Sequence, residues 1–285
     1  MLWTWIVACT GGEDPTDPSS GVSCAPQADN ALRVDCTLAT AATTLAYTDP
    51  DGATVEIEAP EARTVHTLWG LRPDTTYEVE VEGETTRVTT GPLPDALAGL
   101  SVEVTGTSSL EAVVQELNCD QGAYVVVLDP EGTVRWYQEM PETESEGGPG
   151  PQFGGGGDIM GMSITDAPSV LVLGNFGIRE WSFAGEPLLT VESGPVDLRL
   201  HHDVVRSGDD TLALFNEEIT GPDGQDYLID GVAVYDAEGA LVEQWHLADH
   251  IDPSWLPAGG GPPAGMGPPP GDEPIDWSPT RVAWC

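Results

Sequence analysis

The chain contains no lysine. Its basic residues are all arginine, and Lys+Arg total 9 against 48 Asp+Glu, a formal net charge of -39 over 285 residues. Such a field repels nucleic acid and anionic membrane surfaces, so neither is expected as a partner. It favours solubility and is compatible with divalent cations. Leu2 to Ala8 is an apolar run, too short to span a bilayer. No CxxC pair occurs among the five cysteines, which argues against a structural zinc site. Gly154 to Gly157 is followed by no Lys-Ser/Thr pair, so it is not a phosphate loop. Asp223 to Asp226 lacks the spacing and terminal Glu of a calcium-binding EF-hand. No metal ligand set is assigned. What the chain does hold is 40% hydrophobic residues, which excludes a disordered acidic tail. With Gly 34 and Pro 25 the sequence turns often, as an all-β protein does.

Residues 23–92 read as a short all-β module. Leu32 to Leu38 and Thr54 to Glu58 alternate apolar with polar residues, the pattern of half-buried strands. Asp49-Pro50-Asp51-Gly52 is a turn between them. Tyr77, Val79 and Val81 share one face, and Glu78, Glu80 and Glu82 the other. The run Leu68-x-Gly70-Leu71-x-Pro73-x-Thr75-x-Tyr77-x-Val79-x-Val81 resembles the fibronectin type III signature. That resemblance implies an Ig-like sandwich with a tyrosine corner at Tyr77, and a role in spacing or binding. His66 is expected as an exposed strand residue. Cys24 and Cys36 flank a turn-rich stretch and are candidates to staple two neighbouring strands in an oxidising compartment.

Beyond residue 95 a repeat appears. YVVVLDPEGTVRW (124–136), the stretch 170–185 and VAVYDAEGALVEQW (232–245) each hold a hairpin whose turn carries a glycine. Those glycines are Gly132, Gly185 and Gly239, spaced 53 and then 54 residues apart. The period suits a propeller blade of about four strands, with each hairpin as its outer pair. Three to four blades are expected over 95–285. Trp136, Trp181 and Trp245 recur near this period and are expected to pack between blades. The stretch Gly259 to Gly271 reads as a surface excursion.

At the start, Ile6-Val7-Ala8-Cys9 resembles the lipobox of bacterial lipoproteins, in which the Cys is lipidated after cleavage. Residues 1–9 are then a signal-like segment and 10–22 a flexible tether. The missing positive n-region leaves open a start upstream of Met1. Cys9 is the expected lipidation site, and the cell envelope, at its periplasmic or outer face, the expected location. Cys119 and Cys285 have no assigned role.

The candidate chemistry lies at His201-His202-Asp203, where two imidazoles and a carboxylate open a strand. The pieces YVVVLDPEGTVRWY, the GNFGIREW segment, HHDVVRSGDDTLAL, VYDAEGALVEQWHLADHIDP and Asp276-Trp277-Ser278, in that order, resemble the bacterial arylsulfotransferases. The resemblance implies a six-bladed propeller, incomplete in this chain. It implies an enzyme that moves a sulfuryl group from a phenolic sulfate to another phenol, with no nucleotide donor and no cofactor. In that family a His nitrogen carries the group, and other His and Arg side chains line a central funnel. His201 or His202 would face the funnel. The family pattern Asp-Trp-x-His-x-Asn is matched at Asp276-Trp277, but Pro279 stands at the His position and Arg281 at the Asn position. Arg281 is a candidate binder of a sulfate oxygen. The family's funnel Arg and nucleophilic His are expected beyond Cys285, which points to a truncated or inactive arylsulfotransferase-like lipoprotein. The competing expectation is a non-catalytic cell-surface binding lipoprotein. His246, Asp249, His250 and Asp252 form a weaker metal-like cluster, expected as a loop between blades. Asp203, Asp209 and Asp210 near Gly208 read as a turn.

Overall fold

The computed structural model describes residues 21–100, 102, 111–119, 122–141, 159–192, 198–221, 224, 226–251 and 275–276. The fold is all-β, with strands nearly everywhere and antiparallel pairing dominant. Contacts divide the chain into two units: Met1–Leu68 with Asp74–Gly91, and Trp69–Pro73 with Pro92–Cys285. Cys9, residues 10–20 of the tether read over 10–22, Trp277, Pro279, Arg281 and Cys285 lie outside the described residues, as does the side chain of Cys119; Val22, at the tether's end, is instead buried at the start of a strand. No helix among the described residues is long and apolar enough to cross a membrane.

The first unit holds β1 (Val22–Pro26), β2 (Val34–Thr48), β3 (Thr54–Leu68), β4 (Thr76–Val81) and β5 (Glu84–Thr89). β2 pairs with β3 along one edge, from Val34↔Leu68 to Thr48↔Thr54. Its other edge takes β1 at residues 34–38 and β4 at residues 46–48. Register shifts between Thr37 and Thr44 divide β2 where its partner changes. Apolar alternation drives this arrangement. Tyr77, Val79 and Val81 are buried while Thr76, Glu78 and Glu80 are exposed, and the Tyr77 ring meets Tyr47 edge-on at 5.6 Å. Cys24 and Cys36 stand directly opposite in the β1–β2 register and are joined as a disulfide.

His66 departs from its sequence reading. It is buried, and its Nε2 lies 3.0 Å from the Ala42 carbonyl oxygen. His66 pairs with fully buried Cys36, so it shares the inward face. The Ala42 carbonyl beside the ring gives the imidazole a hydrogen-bond partner in the interior, so its burial is tolerated.

The second unit begins with a three-stranded sheet of β6 (Val113–Cys119), β7 (Gly122–Leu128) and β8 (Val134–Glu139). Next comes a four-stranded meander of β9 (Ile159–Ile164), β10 (Ser169–Gly174), β11 (Gly177–Ser182) and β12 (Pro187–Glu192). A third sheet follows, with β13 (Arg199–Ser207), β14 (Asp210–Thr220), β15 (Asp226–Tyr235) and β16 (Leu241–His246) in sequential order. β17 (Ile275–Asp276) runs parallel to the start of β15. The arrangement is propeller-like.

The repeat glycines mark one recurring turn. Gly132, Gly185 and Gly239 have φ of 83, 90 and 83°, a region open to glycine and strained for other residues. Their N–H groups donate to the carbonyls of Asp129, Ser182 and Asp236 at 2.8–3.0 Å. The side chain three residues earlier completes each turn. Asp129 Oδ1 accepts from the N–H of Glu131 and Thr133, Asp236 Oδ1 from Glu238 and Ala240, and Ser182 Oγ from Glu186. Each turn joins the last two strands of its sheet.

The sheets stack face to face. Trp136 of β8 is buried with Val170, Val172 and Phe176 of the second sheet, and its indole N–H donates to the Phe183 carbonyl at 2.7 Å. Leu171, Leu173, Ile178, Leu189 and Val191 then pack against Val204, Ala213, Phe215, Ala233 and Tyr235 of the third sheet. The three tryptophans are not equivalent. Trp136 and Trp245 lie on last strands, but Trp181 precedes its turn on β11, and Trp245 is 42% exposed against the ring of His250.

Replacing Cys24 and Cys36 by Ala is expected to cost the first unit about 2–4 kcal/mol, from the freed loop entropy of the unfolded chain. Urea unfolding of the two forms measures this directly; equal midpoints and slopes would show that the staple adds nothing.

Candidate functional site

β13 is interrupted at the candidate residues. Leu200 pairs with Phe215 and Val204 with Ala213, so His201, His202 and Asp203 stand opposite the single residue Leu214. This is a bulge with two extra residues, a device that re-aims side chains at strand edges. Asp203 therefore belongs to the bulge, not to the turn expected with Asp209 and Asp210, whose glycine is Gly208 at φ 63°. His202 takes the left-handed conformation, φ 56°, which costs a non-glycine residue about 1–3 kcal/mol.

Gly161 of β9 makes the bulge possible. A Cβ there would lie 1.6 Å from the His202 carbonyl oxygen and 2.8 Å from its carbon. β9 therefore touches β13 backbone to backbone at this point.

The bulge sends the two imidazoles different ways. His202 is exposed, while the His201 side chain is 14% exposed, and the rings meet edge-on at 4.7 Å. His201 Nε2 lies 3.0 Å from Oδ1 of Asp230, whose side chain is 9% exposed. Asn216 donates from Nδ2 to the same oxygen at 2.8 Å. Asn216 and Asp230 are directly opposite in the β14–β15 register, so the sheet itself aligns carboxylate and amide. Arg199, two residues before His201 and paired in register with Asn216, is exposed.

A second His–carboxylate pair occupies the other face. Strand alternation puts Phe215, Glu217, Gly231 and His246 on the face opposite Asn216 and Asp230. His246 Nδ1 is 2.9 Å from Glu217 Oε2, and its ring meets Phe215 edge-on at 5.3 Å. Gly231 is again needed, since a Cβ there would lie 2.3 Å from the Phe215 ring. His250 lies apart from this pair, stacked on Trp245 at 4.8 Å. Asp252 lies outside the described residues, and no group of three or more His, Cys, Asp or Glu side chains among the described residues could hold a metal ion. Burial raises the phenol of Tyr235, at the far end of β15, above its ordinary value, so it stays protonated.

The chain also returns to this sheet. Ile275 and Asp276 pair with Tyr227 and Leu228, which brings the backbone of Asp276 beside the residues leading into Asp230. Arg281 lies outside the described residues. Asp230, Asn216 and Gly161 were missed from sequence. Asp230 had a signal: it is a lone acid in the apolar run YLIDGVAVY, and a buried charge needs a partner.

Residues 101–278 match the model of the family described as Arylsulfotransferase (ASST). No curated protein matches the chain. Among solved structures, the crystal structure at 1.35 Å of a protein of unknown function from Bacteroides caccae is similar at 12% identity. It covers 72% of this chain and 94% of that one, with a TM-score of 0.25.

Substituting Gly161→Ala is expected to push β9 from the bulge and destabilise the second unit by at least about 1–3 kcal/mol, the usual cost of overpacking. Thermal unfolding reads this; an unchanged melting temperature would show that β9 and the bulge separate freely.

Proposed function

This chain belongs to the arylsulfotransferase family, and we propose that it handles phenolic sulfates at a site that includes His201. The reaction is ArO–SO3⁻ plus Ar′OH giving ArOH plus Ar′O–SO3⁻. One S–O bond breaks and another forms, and the acceptor's phenolic proton ends on the released phenol. The observation that carries the reading is His201 held against Asp230 by a bulge inside the family-matched region. An imidazole in that setting can pass a proton between the phenolic oxygens or, when charged, bind a sulfuryl oxygen. His202, exposed beside it, is a second candidate for the same work. Arg281 is proposed to bind a sulfate oxygen through its planar fork.

A second reading is non-catalytic binding at the cell surface. Pro279 favours it, because a pyrrolidine at the position where the family pattern has a His can neither carry a sulfuryl group nor move a proton. In either reading the protein is proposed to be anchored in the cell envelope through lipid on Cys9. The Cys24–Cys36 disulfide supports an oxidising compartment.

Purified protein incubated with 4-nitrophenyl sulfate and phenol is expected to release 4-nitrophenolate in proportion to acceptor. His201→Ala should lower that rate about 100-fold or more. Release absent from the wild type, with aryl sulfate still retained in equilibrium dialysis, selects the binding reading; neither signal removes both. A net charge of -39 repels an anionic donor, so KM for the sulfate should fall as salt is raised from about 10 mM to 150 mM, over which the screening length shrinks from about 30 to 8 Å. A KM that rises with salt instead would place a cationic patch at the entrance.

A further inference from the structure

We infer that Glu217 is a positioning residue for His246: it keeps the proton of the neutral ring on Nδ1 and leaves Nε2 as an open base for a small hydroxyl-bearing ligand of phenol type. The pair lies on the face of the third sheet opposite Asp230, and nothing in it depends on His201 or on the reading above.

The backbone builds the pair. Phe215 and Glu217 alternate onto one face of β14, and Gly231 and His246 stand opposite each other on β15 and β16 at that same face. Gly231 leaves room for the Phe215 ring, which meets the imidazole edge-on at 5.3 Å. Nδ1 of His246 is hydrogen-bonded to Glu217 Oε2 at 2.9 Å. The other carboxylate oxygen, Oε1, is buried and has no partner among the described residues, so the carboxylate relies on the ring N–H. An ionised carboxylate offers only lone pairs, and an imidazole is a stronger base than a carboxylate, so a proton shared between them resides on the ring. A neutral ring has one N–H, and here Nδ1 takes it. Nε2 then carries a lone pair. It has no partner among the described residues, and the side chain is 33% exposed. Glu218 and Asp230, on the same two strands, face the other way.

The surroundings select the ligand. Ile229 is directly opposite Glu217 in the ladder and is buried with Tyr227. Ile219, Leu247 and Ile251 pack against these two and stay partly exposed. Ile219 is on the face of Glu217, two residues on, and Leu247 directly follows His246. A hydroxyl hydrogen satisfies Nε2, and an apolar body suits these side chains; a phenol supplies both. The net charge of -39 favours a neutral ligand over an anionic one. Glu217 touches no ligand atom in this scheme; it acts through His246.

The test uses the full chain labelled with ¹⁵N at histidine, with ring ¹⁵N shifts recorded at a pH where the imidazoles are neutral and His246→Gln identifying the signal. His246 is expected in the Nδ1–H form. In Glu217→Ala it should pass mainly to the Nε2–H form that a free histidine side chain prefers. Glu217→Gln keeps the shape but offers either a carbonyl oxygen or an amide N–H, and should give both forms. An Nε2–H ring in the wild type overturns the assignment, and so does a tautomer unmoved by Glu217→Ala. If Glu217→Ala does not fold, the isosteric Glu217→Gln decides, since a single unchanged form there denies the carboxylate its role. Phenol added to the wild type should shift Nε2 of His246 saturably, and this response should be lost in Glu217→Ala. An Nε2 that ignores phenol removes the ligand. Turnover of 4-nitrophenyl sulfate by the same samples is a separate matter: its absence counts against the proposed function and leaves the role of Glu217 standing.

Discussion

The contact between β9 and the bulge of β13 is a backbone contact, and the architecture around the histidines depends on it. A strand can hold two extra residues only if something occupies the space beside them and something else tolerates the resulting protrusion. Gly161 meets the second need by having no side chain. The buried face of the third sheet meets the first, because Val204 resumes pairing and enters the core shared with Leu171 and Leu173. His201 reaches Asp230 because the backbone is bent between two well-packed positions, Leu200 and Val204. The strain at His202 is the local cost of that bend.

The second and third sheets are also joined by a polar link. Ser169 Oγ donates to Glu180 Oε1 at 2.6 Å, and Arg206 of β13 pairs with the other oxygen of the same buried carboxylate. Arg135 and Arg179 are engaged in a similar way, with Asp129 and with Glu192 and the Val191 carbonyl. In a chain without lysine, these arginines close hairpins and join sheets. For the proposed sulfate site, cationic help then rests on Arg281, on Arg199 at the start of β13, or on protonated imidazole. The scarcity of basic residues thus narrows the chemistry more sharply than the fold does.

Much of the fold was legible in the sequence because it rests on local chemistry. The turn glycines are spaced as their hairpins require, and each turn has its Asp or Ser acceptor three residues earlier. The alternation around Tyr77 translates directly into one buried and one exposed face. The site was legible only in part. His201-His202-Asp203 announces itself by residue type, but its partner Asp230 is nearly thirty residues away, and only strand register joins them. The misreading of His66 has the same origin: an imidazole looks exposed until a residue distant in sequence, Ala42, supplies a carbonyl beside it. Trp181 shows the limit of counting, since a period close to that of the blades does not guarantee an equivalent strand.

The recurring hairpin turn has a bearing on how such a chain can arise. The stretch from one turn glycine to the next, 53 or 54 residues, carries its own turn, its own acceptor for that turn and one face of the next interface. Gly239 shows the join: its turn lies against Thr190 and Val191 of the preceding sheet's last strand. Duplicating such a stretch in a gene adds one sheet and one interface and leaves the hydrogen bonds within each existing sheet in place. Lengthening or shortening the array then requires no redesign of its parts, and selection on the histidine bulge can proceed in one copy while the others keep their structural role.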